Sequence, residues 1–156
     1  MSISFRPVGQ EDEAFLVKVY GSTRSEELAP VPWTEAQKEA FLKMQLAAQQ
    51  QHYKARYPDA EHQLILSDER PIGRLYVAHL DQEIRIVDIA LLSEARGRGV
   101  GTSIIKDLMD EAARVGKPLR IYVESFNPAL RLFERLGFAK VGEHDFYLLM
   151  QWQPAV

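Results

Sequence analysis

Ile84-Arg85-Ile86-Val87-Asp88-Ile89-Ala90-Leu91-Leu92, followed by Arg96-Gly97-Arg98-Gly99-Val100-Gly101 and an amphipathic run to Val115, is the stretch that decides the fold. The first part is apolar and of strand length, interrupted only by Arg85 and Asp88. In the last part Val100, Ile104, Ile105, Leu108, Met109, Ala112 and Val115 recur at helical spacing, and Gly116 closes the helix. The glycines therefore fall where a strand turns into a helix. A helix N-terminus leaves backbone N–H groups without partners, and its dipole favours negative charge. Glycine lets a pyrophosphate approach those groups closely. Arg96 and Arg98 add cationic donors suited to phosphate. The stretch predicts a pyrophosphate cradle on residues 96–101.

Two familiar phosphate loops do not fit it. The dinucleotide fingerprint Gly-x-Gly-x-x-Gly requires glycine at position 104, which is Ile104. The nucleoside-triphosphate loop ends in Gly-Lys-Ser/Thr, whereas Gly101 is followed by Thr102-Ser103. A Gly-rich turn with two solvated arginines is the remaining local alternative.

Working outward, Ser2 to Val8 alternates as a first strand. A helix follows from about Glu11 to Arg24, with Phe15, Leu16, Val19 and Tyr20 inward. Thr34 reads as the N-cap of a long second helix carrying Phe41, Met44, Ala48 and His52 on one face; it must end before Pro58. His62–Leu66 and Gly73–His79 are strands separated by a turn over residues 67–71, and Leu80-Asp81-Gln82 is a second turn. Beyond the decisive stretch come a strand at Leu119–Val123 and a short helix opened by Asn127-Pro128 and closed by Gly137. Two last strands follow, Phe138–Val141 and Phe146–Trp152. This order predicts a mixed α/β (α+β) domain of about six to seven strands and four helices. The Ile84-to-Val123 step should be parallel with a right-handed crossover.

A chain of 156 residues is expected to form one domain, residues 1–156, and can bury a sizeable core. Its 46% hydrophobic and 26% charged content is that of an ordinary globular protein. A net charge of −3 argues against binding nucleic acid through phosphate contacts. There is no cysteine, so disulfides, thiolate metal sites and cysteine nucleophiles are excluded. His52, His62, His79 and His144 have no partners at ligand spacing, so no metal is expected. No apolar run reaches membrane-spanning length and the N-terminus lacks a signal-peptide core, so a cytoplasmic protein is expected.

Arg96-x-x-Gly99-x-Gly101 resembles the Gln/Arg-x-x-Gly-x-Gly/Ala signature of the GCN5-related N-acetyltransferase superfamily. Ser93 stands where that family commonly has proline. Asn127-Pro128-Ala129-Leu130-Arg131-Leu132-Phe133-Glu134-Arg135-Leu136-Gly137-Phe138 is similar to a second family element, Asn-x-x-Ala…Leu-Tyr-x-x-Leu-Gly-Phe. The strong resemblance covers residues 84–138; the N-terminal half agrees in element order.

The resemblance implies a sheet splayed between its fourth and fifth strands. It implies acetyl-coenzyme A as co-substrate, its pantetheine arm along Ile89-Ala90-Leu91 and its pyrophosphate on Arg96, Gly97, Arg98, Gly99, Val100 and Gly101. Thr102 or Ser103 would assist, and Asn127 would contact the arm unless its side chain only caps the helix. Many members carry a tyrosine acid at the position of Phe133, beside the cofactor sulfur. Phe133 cannot donate a proton, so the role passes to water or to a hydroxyl such as Tyr122 or Tyr147. Asp88 and Glu124 are the candidate bases; Asp88 reads equally as an ion-pair partner of Arg74, Arg85 or Arg120, and Glu124 as a loop cap. Trp33, Phe41, Gln45, Gln49, His52 and Tyr53 would form an acceptor wall, or else be core and solvated face.

The function implied is acetyl-CoA-dependent transfer to a primary amine of a small molecule or peptide. Without cysteine, transfer would be direct. Alternatives are a non-catalytic coenzyme A-binding or regulatory module, and a nucleotide-binding protein of another fold. The family often forms dimers. No nucleic-acid or membrane partner is expected.

Overall fold

Thr34 opens the longest helix because its side chain accepts the Gln37 N–H at 3.1 Å while Gln37 returns a bond to the Thr34 N–H at 2.9 Å. This reciprocal pair satisfies two orphan donors of the first turn. The computed structural model describes residues 2–155. Its elements are β1 (Ile3–Pro7), α1 (Glu13–Leu28), α2 (Glu35–Arg56), β2 (Glu61–Ser67), β3 (Arg70–His79), β4 (Ile84–Leu91), α3 (Val100–Val115), β5 (Leu119–Glu124), α4 (Ala129–Arg135), β6 (Ala139–His144) and β7 (Tyr147–Trp152). Short 3₁₀ turns stand at Gln10–Asp12 and Ser93–Ala95. The seven strands hydrogen-bond in the order β1-β2-β3-β4-β5-β7-β6. β4 and β5 run parallel, as expected of a strand–helix–strand step, and β1–β2, β5–β7 and β6–β7 are antiparallel. The α/β class, the element order and the seven-stranded mixed sheet are those predicted.

The chain forms two compact units, Met1–Tyr76 with Ile89–Arg98, and Val77–Asp88 with Gly99–Val156. In the first, Leu16, Val17 and Tyr20 of α1 pack with Leu46 of α2 and Leu64 of β2. In the second, α3 buries Val100, Ile104, Ile105, Leu108 and Ala112, and β5 buries Leu119, Ile121 and Val123.

The inward face of α2 is one residue out of phase with the sequence reading. Met44 is exposed, as are Ala48 and His52, while Leu46 is buried and Leu42, Gln45, Gln49 and Tyr53 are half-buried. The cause is the partner surface: Leu42 and Leu46 meet the apolar side of α1. Helix α1 also runs past Arg24 to Leu28, stopping only before Pro30. The β2–β3 turn is tighter than expected. Only Asp68 and Glu69 turn, at φ 48° and 70°, the double left-handed geometry that matches the twist of a hairpin.

The β4–β5 pairing covers Ile84↔Leu119, Arg85↔Arg120 and Ile86↔Ile121 and is not continued at Val87 and Asp88. Burial changes at the same place: Ile84, Arg85 and Ile86 are buried, and every residue from Val87 to Leu91 is only half-buried. The two strands thus part after three pairs, as the expected splay requires. Among the described residues, no helix is long and apolar enough to cross a membrane.

Candidate functional site

The loop between β4 and α3 takes its shape from two glycines. Gly97 and Gly99 sit at φ 76° and 81°, a left-handed geometry that costs an L-residue about 1–2 kcal/mol. A Cβ at either would meet nothing within 4 Å, so the space beside both is open to a ligand. Gly99 caps α3 without a side-chain hydrogen bond. The helical ladder begins where the Ser103 N–H reaches the Gly99 carbonyl at 3.0 Å. The N–H groups of Val100, Gly101 and Thr102 precede that bond and have no acceptor within the helix.

The two arginines divide. Arg98 is exposed. Arg96 is exposed as well, with part of its side chain bonded within the fold. Its backbone N–H donates to the Ser93 carbonyl at 3.2 Å. Its Nε donates to the Leu91 carbonyl at 3.1 Å, and a terminal nitrogen donates to Ser22 Oγ at 3.1 Å. The guanidinium therefore ties the end of β4 to α1.

The edges of β4 are distinguishable. Along an extended strand, successive residues turn their backbone polar groups to opposite edges. The Leu92 N–H donates to the Ile72 carbonyl at 2.8 Å. A Cβ on Gly73 would overlap the Ala90 carbonyl oxygen. Residues 90 and 92 therefore address β3, and Ile89 and Leu91 address the other edge.

Beyond β5, the Asn127 side chain accepts the Ala129 N–H at 2.9 Å, so it does cap α4. Capping occupies Oδ1 and leaves the amide nitrogen to do something else, so the two roles foreseen for Asn127 use different atoms. Ser125, Phe126, Asn127, Pro128, Arg131 and Glu134 line an open concavity of about 480 Å³. Phe133 is 3% exposed and packs edge-on against Phe138, ring centroids 5.2 Å apart. It is a core residue of its unit. Tyr122 and Tyr147 are 41% and 42% exposed. Asp88 and Glu124 are half-buried, and Asp88 carries a polar contact of its own.

Arg74, Arg85 and Arg120, foreseen as partners of Asp88, each make a carboxylate or amide bond. Glu83 Oε2 accepts Arg85 Nε at 2.7 Å, and Glu83 Oε1 accepts Arg85 and Arg120 at 3.1 and 3.3 Å. Arg120 Nε also donates to Gln151 at 2.6 Å, and Arg74 donates to Gln49 at 2.5 Å. The Arg85 guanidinium lies 5.0 Å from the centre of the Tyr122 ring. Sequence reasoning missed Glu83; its signal was the two-residue spacing to Arg85, which puts both on one strand face. The amides of α2 are likewise engaged: Gln45 accepts the Tyr20 hydroxyl at 3.2 Å, so neither Gln45 nor Gln49 is merely a solvated face. Trp33 is 41% exposed and meets Phe41 edge-on at 5.2 Å. Among the described residues, no group of three or more acidic or histidine side chains is placed to hold a metal ion.

Known proteins resemble this chain at the level of fold. A PaiA N-acetyltransferase from Thermoplasma acidophilum, solved with coenzyme A, superposes with TM-score 0.70 at 18% identity over 98% of this chain and 99% of its own. A histone acetyltransferase HPA2 and related acetyltransferase from Corynebacterium glutamicum gives 0.66 at 19% over 100% and 98%. The ribosomal-protein-S18-alanine N-acetyltransferase of Escherichia coli gives 0.63 at 16% over 99% and 96%. No curated protein sequence matches significantly. The profile of the acetyltransferase (GNAT) family matches residues 23–138, which takes in the strand, the glycine loop, α3 and the Asn127–Phe138 stretch. By that match the chain belongs to the GNAT acetyltransferase family.

Proposed function

We propose that the chain is a single acetyltransferase domain, residues 1–156, which moves an acetyl group from acetyl-coenzyme A directly to a primary amine of a small molecule or peptide. The observation that carries this is the loop of left-handed glycines opening into α3, inside the stretch that the family profile matches. The open space beside Gly97 and Gly99 fits a pyrophosphate. The amides of residues 97–102 would hold it, with Arg98 as the cation. Ile89 and Leu91 would pair with the pantetheine arm, and the Asn127 amide nitrogen would donate to it.

Acetyl-coenzyme A supplies the activated acyl group. The protein must stabilise an oxyanion, deprotonate the amine and protonate the departing thiolate. An N–H on the Ile89–Leu91 edge suits the first task. For the proton steps, Glu124 and Asp88 are the acceptors and Tyr122 the donor, since Phe133 has no exchangeable proton. Tyr122 is the first β5 residue past the last β4–β5 pair, and it is exposed. The lack of a hydroxyl at Phe133 gives the rival reading, a coenzyme A-binding module without turnover, its one supporting observation.

The test combines thermal shift with thiol release. Coenzyme A should raise the melting temperature more than ATP or NAD, and an amine panel should include acceptors that release thiol. Protection by coenzyme A with no amine-dependent release would establish the rival. Preferential protection by ATP or NAD would overturn both.

A further inference from the structure

The sheet face formed by β5 and β7 carries a group of side chains apart from the glycine loop and the Ile89–Leu91 edge. Tyr122 lies directly across from Leu149, and Glu124 across from Tyr147. Directly opposed residues share a face, as do residues two apart on one strand. These four side chains therefore form one block, about 5 Å across the strands and about 7 Å along them. The block is open: Tyr122 and Tyr147 are 41% and 42% exposed, whereas Ile121, Val123 and Met150 on the opposite face are 6%, 4% and 2% exposed.

Among the described residues, the Glu124 carboxylate has no hydrogen-bond or ion-pair partner. An ammonium beside it gains the Coulomb attraction of the carboxylate and the negative faces of the neighbouring rings. The surroundings set what the rest of that molecule can be. Toward the start of β5 the same face bears Arg120, and Arg85 lies against the Tyr122 ring. The two guanidiniums share one carboxylate, Glu83. A second ammonium on that side would meet like charge. Toward the other end stand Phe126 and Phe146, 68% and 72% exposed, in loops joined by the Ser125 N–H to the Phe146 carbonyl at 2.8 Å. The acidic groups of that hairpin have local cations, Glu143 with Lys140 and Asp145 3.5 Å from His144 Nε2.

We propose that the Tyr122–Glu124–Tyr147–Leu149 face is the acceptor subsite and that it takes a primary monoamine with an aromatic or aliphatic arm. The ammonium sits at Glu124, and the arm lies on Tyr147 toward Phe146. This assignment rests on the acetyltransferase reading and narrows its substrate to one charge and one apolar group. Peptides and polyamines, which bring further polar or cationic groups onto the face, fit it less well.

The experiment uses the intact protein with acetyl-coenzyme A and four acceptors: 2-phenylethylamine, hexylamine, spermidine and lysine. The two apolar monoamines should give kcat/KM at least about tenfold above spermidine and lysine. Tyr147→Ala should raise the KM for 2-phenylethylamine about tenfold with coenzyme A affinity unchanged, and Tyr147→Phe, which keeps the ring, should restore it. Calorimetric titration of 2-phenylethylamine into the coenzyme A-saturated protein gives a readout free of turnover, and Glu124→Gln should abolish that binding. Spermidine or lysine as the best acceptor would overturn the proposal, as would a KM for 2-phenylethylamine indifferent to Tyr147→Ala. Binding that obeys these variants without any thiol release would keep the subsite and sink the acetyltransferase reading instead. Absence of both binding and release would overturn the subsite.

Discussion

Replacing Gly73 by alanine probes the strand edge on which the cofactor arm would lie. A methyl at this position of β3 would overlap the Ala90 carbonyl oxygen and stand 2.8 Å from Leu91 Cδ2 and 3.1 Å from Leu91 Cα. Two of these three neighbours are backbone atoms or held by backbone, so rotamer changes cannot relieve the clash; β3 and the end of β4 must move apart. Overpacking of this kind costs typically about 1–3 kcal/mol. For a chain of this size each kcal/mol lowers the melting temperature by roughly 2–4 °C, so a fall of about 2–12 °C is expected. The same movement displaces Leu91, whose carbonyl accepts from Arg96 at 3.1 Å, and with it the Ile89–Leu91 edge. Coenzyme A affinity should therefore fall by more than the loss of folded fraction explains. Calorimetric melting and coenzyme A titration on the same sample measure both quantities. A Gly73→Ala protein that melts as the parent does, and binds coenzyme A equally well, would refute the reasoning that β3 packing sets this edge.

Gly99→Ala should lower stability by about 1–2 kcal/mol through its left-handed φ, and weaken coenzyme A at least about tenfold by placing a methyl in the space the pyrophosphate approaches; titration calorimetry checks it. Phe133→Tyr buries a hydroxyl in an apolar core, so its melting temperature should drop by the equivalent of about 1–3 kcal/mol. The rate per folded molecule should stay unchanged or rise, and a large loss would argue that an aromatic hydrocarbon is required there. The Asp12 carboxyl is held below its ordinary pKa, first by the Arg6 guanidinium, which bonds both of its oxygens at 3.0 Å, and then by the Gly9 N–H at 2.7 Å. A depressed carboxyl stabilises the fold above the unfolded value of about 3.9 and loses that contribution as pH falls through the folded value. Asp12→Asn should therefore lower the melting temperature at pH 7, with the gap to the parent closing below about pH 4.

Where the sequence predicted the fold well, the determinant was local backbone chemistry. Gly99, Gly116 and Gly137 adopt φ 81°, 68° and 98°, and each marks a helix end at the place read from the sequence. Thr34 caps α2 as predicted because its partner Gln37 is three residues away. The errors came where a second element decides. The inward face of α2 is shifted by one residue because Leu42 and Leu46 answer to α1, a packing that periodicity within α2 does not contain. Its polar positions kept the pattern weak enough for either phase to look acceptable. Helix α1 outran its expected end because Ser25-Glu26-Glu27-Leu28 bears no breaker before Pro30, and helices end where the chain forces them to.

The site divides along the same line, and Arg96 shows why. The glycines at 97 and 99 encode a dihedral angle, which survives whatever the rest of the molecule does. An arginine encodes only a charge on a long, flexible stem with five donors, and the fold can use those donors for itself. At Arg96 it does so, through Leu91 and Ser22, the latter 74 positions away in the chain. Arg85 and Arg120 likewise spend donors within the fold, on Glu83. A basic residue beside a glycine loop is thus weaker evidence of a phosphate contact than the glycines are. Alanine at Arg98 and at Arg96 should separate the two cases. Loss at Arg98 should weaken coenzyme A with little change in melting temperature, and loss at Arg96 should lower the melting temperature first. If Arg96→Ala left stability intact and cost only coenzyme A affinity, the hydrogen bonds to Leu91 and Ser22 would not be what holds this arginine in place.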